Sequence, residues 1–153
     1  MSQASAHFTS AKFKLTPPRE RVQHVIRIES WNWDFMFGID DTKFREGPYY
    51  DYRHLHLRGA ILRPTDIKAR EAEVTCFADT KLPGSSREQI RPVGFLSHRG
   101  KDYSANLHMP YDVLPLILLM LTTSKYRFVA FEAAKSFRGE APIFNFRFSE
   151  SED

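Results

Sequence analysis

Residues 52–62 have the sequence YRHLHLRGAIL, and this stretch decides the fold. In an extended chain Leu55, Leu57 and Ile61 point to one side, and the histidines and the arginine between them point to the other. This period of two is the signature of a half-buried β-strand. The stretch is therefore predicted to be a strand with its apolar face in the core and its polar face outside.

The same alternation recurs on both sides of this strand. The strands that it predicts lie at residues 22–29, 30–38, 52–62, 72–78, 91–98, 102–108, 126–133 and 142–148. A glycine-containing turn at residues 99–101 would join two of them as a hairpin. Aromatic residues favour strands, and their 14% share of the chain agrees with a mostly β protein.

Residues 112–123 break the alternation and predict a helix. Leucine and methionine fill nearly every position there, and both have high helix propensity. Asp112 can cap the helix, and Pro115 then falls in the first turn, where its missing N–H is not needed. A helix that is apolar all round should be buried on most sides. The predicted fold is mostly β (α+β): an antiparallel β-sandwich or curled sheet of about eight strands with one buried apolar helix.

Length and composition predict one domain. The 153 residues divide into a flexible arm (1–18), a single globular β-rich domain (19–148) and an acidic tail (149–153). Because there is one cysteine, no disulfide framework can form, and we predict a cytoplasmic protein. The longest apolar run covers residues 113–121, which is too short for the roughly 20 residues that span a bilayer. No membrane association is predicted.

His54 and His56 are the sharpest local feature for chemistry. Residues i and i+2 of a strand lie on one face, about 6.6 Å apart, and two imidazoles so placed can bind one metal ion. A third ligand would have to come from another part of the fold. The candidates are His24, His98, His108, Asp34 and Asp51. Without a third ligand the histidines are ordinary polar residues on a strand, which is the alternative that we favour.

Trp31, Trp33, Phe35 and Phe37 form an aromatic stripe along the predicted strand at residues 30–38. Exposed rings of this kind can stack on bases or sugars. The opposite face carries an asparagine, an aspartate and a methionine, which would make a poorer core. We therefore predict that the stripe packs in the core, with a ligand platform that uses the two tryptophans as the alternative.

Arg53, Arg58 and Arg63 lie on and beside the deciding strand, followed by Lys68 and Arg70. The chain has a net charge of +3, with a basic body and an acidic end. A basic strand face beside the two histidines could grip phosphate groups. A solvated strand face is the simpler interpretation, because no nucleic-acid-binding motif occurs in the sequence.

Catalytic motifs are also absent from the sequence: it has no nucleophile elbow, phosphate-binding loop or metalloprotease motif. Cys76 alternates with Val74 and Ala78 and is predicted to be a buried, inert thiol. We therefore predict a non-catalytic binding module whose partner is another protein or a second copy of the chain. An exposed part of the helix at residues 113–121 would be a natural contact for either partner. The alternatives are a small metal-dependent enzyme at His54 and His56, and a nucleic-acid binder at the basic strand face. No cofactor is predicted unless the histidine pair holds a metal.

Overall fold

Seven strands and one short helix make up the part of the chain that the computed structural model describes, residues 20–39, 49–79, 92–136 and 138–153. The strands are β1 (Arg21–Ile39), β2 (Tyr49–Arg63), β3 (Glu71–Asp79), β4 (Gly94–Arg99), β5 (Asp102–Pro110), β6 (Phe128–Ala134) and β7 (Glu140–Ser149). A 3-10 turn (Tyr111–Val113) leads into the helix α1 (Leu114–Thr122), and the two together are called the helical segment. The predicted arm, residues 1–18, lies outside the described residues.

The seven strands form one closed barrel in the order β1-β2-β3-β5-β4-β7-β6. β6 returns to β1, where Arg21 lies opposite Ala134. Neighbouring strands are antiparallel except β3 and β5, which are parallel. The prediction of a mostly β curled sheet with one helix is confirmed.

β1 accounts for the difference between seven strands and the predicted eight. The sequence places Val22, Ile26 and Ile28 on one alternation and the aromatic stripe on the other, and this change of phase predicts a break between two strands. The structure has one strand with register shifts after Val25 and after Ile28. An extra residue in one strand of a pair is a β-bulge, which switches the faces without ending the strand.

The core lies inside the barrel, where the predicted alternation of β2 and β3 holds. Leu55 and Leu57 of β2 are buried, as are Val74 and Cys76 of β3. Burial raises the pKa of the Cys76 thiol to about 12, so this side chain stays protonated at neutral pH.

α1 packs against the core along one side only. Leu114, Ile117 and Leu121 are buried, whereas Leu116 is 57% exposed and Leu119 is 58% exposed. The expected burial on most sides is therefore wrong, because no second layer covers the outer side of α1 in the described part of the chain. Pro115 lies in the first turn as predicted, but Asp112 does not cap the helix. Among the described residues no helix is long and apolar enough to cross a membrane.

Gly100 in the β4–β5 turn has a φ of +61°, and a Cβ atom added there would meet nothing within 4 Å. Gly100→Ala should therefore cost only the backbone penalty of the left-handed region, about 1 kcal/mol in the free energy of unfolding. Asparagine tolerates this region better, so Gly100→Asn should cost less than alanine. Urea denaturation of the three proteins measures the order, and equal losses for both variants would contradict this explanation.

Candidate functional site: the ribbon and the helical segment

β1 and β2 continue together past the ends of their neighbours. β1 pairs with β6 only as far as Arg27, and β2 pairs with β3 only from His54 onward. The β1–β2 pairing itself runs to the last residue of β1. Residues 35–39 and 49–53 therefore form a two-stranded extension of the barrel, called the ribbon.

Cross-strand contacts hold the ribbon, although two strands alone are only marginally stable in water. The rings of Phe37 and Tyr49 stack with centroids 5.7 Å apart. Across the two strands, the Arg53 guanidinium lies 5.8 Å from the centroid of Phe35, and within β2 it forms a 2.9 Å salt bridge with Asp51. Cross-strand pairs such as these ring contacts are the units that stabilise a two-stranded sheet.

A groove of about 550 Å³ separates the ribbon from the helical segment. The side chains that line it are Trp33, Phe35, Arg53, Tyr111, Asp112, Leu114, Pro115 and Leu118. The Arg53 guanidinium reaches across the groove to lie 5.4 Å from the centroid of Tyr111. The groove is thus mainly apolar, with one cation held between aromatic rings.

Exposed apolar side chains are concentrated on the two elements that flank this groove, and they lie on more than one face. Met36 and Tyr50, for example, lie together on the face of the ribbon opposite Phe35. Of the twelve large hydrophobic side chains that are exposed among the described residues, eleven lie on the ribbon, beside it at Trp33, or on the helical segment. These eleven, called the apolar patch, are Trp33, Phe35, Met36, Phe37, Ile39, Tyr49, Tyr50, Tyr111, Val113, Leu116 and Leu119. The twelfth is Phe95 on β4. An apolar surface gathered at one place is typical of an interaction site.

The aromatic stripe is therefore not a core face, and that prediction is wrong for most of its length. Trp31 is half-buried and packs against the core, but Trp33 is 46% exposed, Phe35 54% and Phe37 64%. The alternation in sequence is real. Its apolar side has no core to face, because this part of β1 has passed the end of the barrel.

His54 and His56 lie on the outer face of β2, with ring centroids 6.1 Å apart. Nε2 of His56 lies 3.1 Å from Oδ2 of Asp34. The His54 ring contacts Tyr52 and Phe77, each at 4.6 Å between centroids. Burial lowers the pKa of His54, and the neighbouring His56 lowers it further, while Asp34 acts in the opposite direction.

The structure brings only one of the predicted third ligands, Asp34, to the histidine pair. His98 faces the β4–β5 turn. His108 stacks on Phe77, whose ring separates it from His54. His24 is buried, and Asp51 forms a salt bridge with an arginine. Within the described ranges, no group of three or more His, Cys, Asp or Glu side chains is placed to hold a metal ion.

The three predicted binding arginines each lie beside a carboxylate. Arg58 is 2.8 Å from Glu73 across the β2–β3 pair. Arg63 lies 3.5 Å from Glu152, so the acidic tail contacts the barrel. Arg53 pairs within its own strand, as described above. The arginines therefore do not form an uninterrupted positive surface.

The tyrosines of the candidate site, Tyr49 and Tyr111, are the part that the sequence does not predict. The helix was expected to be buried on most sides, with any exposed part as a contact for a partner. Leu116 and Leu119 form that exposed part.

No protein-family model matches the chain, and neither a curated protein nor a solved structure resembles it significantly.

Proposed function

We propose that this protein is a non-catalytic module that binds another protein through the apolar patch. The observation that carries the proposal is that eleven of the twelve exposed large hydrophobic side chains among the described residues lie on the ribbon, beside it at Trp33, or on the helical segment. Side chains of this size, each about half exposed, offer roughly 1,000 Å² of surface in total, shared between the two faces of the ribbon and the helical segment. Contiguous apolar surfaces of more than a few hundred Å² mark interaction sites.

The surroundings of the patch favour a protein partner over nucleic acid. Among the described residues, the charged side chains that line the groove are Arg53 and Asp112. Arg53 already contacts a carboxylate and two aromatic rings, so a phosphate group would have to displace these partners. Aromatic side chains and arginine are enriched at protein–protein interfaces, whereas nucleic-acid sites need an excess of unpaired cations.

Phe35→Lys should strongly weaken partner binding, because it places a charge among the apolar side chains of the patch. Phe95→Lys is a matched control: Phe95 is also a strand residue and is 53% exposed, but it lies outside the patch. We expect Phe35→Lys to weaken capture of a specific protein from an extract of the source cells by about 30-fold or more. Phe95→Lys should capture as much as wild type. Quantitative mass spectrometry of the captured proteins gives the comparison.

Two further arms of this experiment address the other functions that the sequence left open. If the capture disappears after nuclease treatment, the partner is a nucleic acid and not a protein. A stoichiometric metal in the purified protein, lost in the His54→Ala/His56→Ala variant, would favour the metal-dependent enzyme. If both lysine variants behave like wild type, the apolar patch is not the binding surface.

A further inference from the structure

We propose that the protein partner is a second copy of this chain, which pairs antiparallel along the free edge of β1 about a twofold axis at Phe35. This inference rests on the proposed function and names the partner. The observation that carries it is an open strand edge. When this edge pairs with a second copy of itself, aromatic residues lie opposite each other and like charges do not.

The edge of β1 that faces away from β2 is open along residues 31–39. β6 pairs with β1 only up to Arg27, and within the described ranges no other strand takes its place. Backbone N–H and C=O groups on such an edge are a template for another strand. Native proteins protect such edges with lysine, proline or short strands, but this edge is long and carries aromatic side chains.

The register of the pairing follows from the charge of Asp34 and from the length of the open edge. Phe35 is the middle of residues 31–39, so a twofold axis there pairs all nine residues of the edge. It places Trp33 opposite Phe37 of the other copy, and Asp34 opposite Met36. An axis one residue earlier would place the two Asp34 carboxylates opposite each other, which is destabilising. An axis one residue later would pair only residues 33–39.

The faces of the paired strands also match. A twofold axis perpendicular to the sheet leaves each side chain on its own face, so Trp33, Phe35 and Phe37 of both copies meet on the groove side. Aromatic pairs across strands stabilise a sheet beyond their buried area.

The first test is the molecular mass of the full chain in solution, measured by sedimentation. We expect wild type and Phe95→Lys to be dimers. Phe35→Lys places two ammonium groups opposite each other at the axis and should raise the dimer dissociation constant by about 100-fold. A wild type that stays monomeric at the highest concentrations reached overturns the inference.

The second test fixes the register by disulfide formation between copies. With the axis at Phe35, the two Cα atoms of residue 35 lie about 4.5–5.5 Å apart, within the 4.4–6.8 Å range of disulfides. Those of residue 37 are displaced by four residues, about 13 Å. Phe35→Cys should therefore cross-link on oxidation, whereas Phe37→Cys should not. The native thiol of Cys76 is buried and does not compete.

These outcomes separate the inference from the proposed function. A cross-link at Phe35→Cys together with a dimeric wild type supports both. A monomeric wild type that still captures a different protein, and loses it in Phe35→Lys, overturns the dimer and keeps the proposed function. A dimer that is unaffected by Phe35→Lys overturns the β1 edge as its interface.

Discussion

Leu121→Asp is expected to leave the protein unfolded at neutral pH. Leu121 is 5% exposed and packs in the core with the other buried residues of α1. The substitution removes the packing of a buried leucine, worth about 2–5 kcal/mol, and adds a carboxylate with no partner in an apolar site. The combined loss, more than about 5 kcal/mol, is comparable with the whole stability of an ordinary domain.

Leu116→Asp is the matched control for this effect. Leu116 lies on the same helix but is 57% exposed, and an acid in the first turns of a helix is favourable to the helix dipole. We expect a change below about 1 kcal/mol. Circular dichroism and thermal melting compare the two variants. Equal destabilisation of both would mean that α1 is covered on its outer side.

Stability should fall steeply with acid because of His24. This side chain is 4% exposed, stacks on Phe131 and has Nδ1 2.6 Å from Oη of Tyr103. Burial lowers the pKa of His24 from 6.5 to about 4, and the nearby charge of His98 adds to the effect. Burial raises the pKa of Tyr103, so its hydroxyl keeps its proton and can donate to the neutral imidazole.

The direction of the pH effect follows from proton binding. Between pH 6.5 and about 4 the unfolded chain takes up a proton at His24 and the folded barrel does not. The neutral imidazole therefore makes its full contribution to the free energy of unfolding above pH 6.5. This contribution is lost as the pH falls to about 4, a change of about 3 kcal/mol. Urea denaturation across this range should show the loss. Glutamine has no proton to bind in this range. In His24→Gln the slope of the free energy of unfolding against pH should therefore be smaller by about 1.4 kcal/mol per pH unit. An unchanged slope would assign the acid sensitivity to other groups.

Local alternation predicted most of the barrel, because a strand with one face in the core must alternate in sequence. Leu55, Leu57 and Val74 are buried as their pattern predicts. Closure of the sheet and the parallel β3–β5 pair were not predictable, since both depend on which strands meet in space. A bulge and a strand break change the phase of the alternation in the same way, so β1 was divided in two.

The candidate site was predicted only in part, because an apolar pattern does not say what covers it. Trp33 and Phe35 were expected in the core, with a ligand platform at Trp31 and Trp33 as the alternative. Whether such residues are buried depends on the length of the neighbouring strands: β6 stops pairing at Arg27, and the aromatic stripe begins beyond that point. The outer side of α1 presents the same ambiguity at Leu116 and Leu119.

The way in which the barrel closes has a consequence for folding speed. β1 and β6 complete the ring by pairing Arg21 with Ala134, 113 positions later in the chain. Contacts so distant in sequence form only after a large loss of chain entropy, so barrels with this connectivity fold in milliseconds to seconds rather than microseconds. Until that pairing forms, β1 and β6 both offer open edges along their full length, and such edges make partly folded chains prone to aggregation. We therefore expect refolding yield to fall as protein concentration rises.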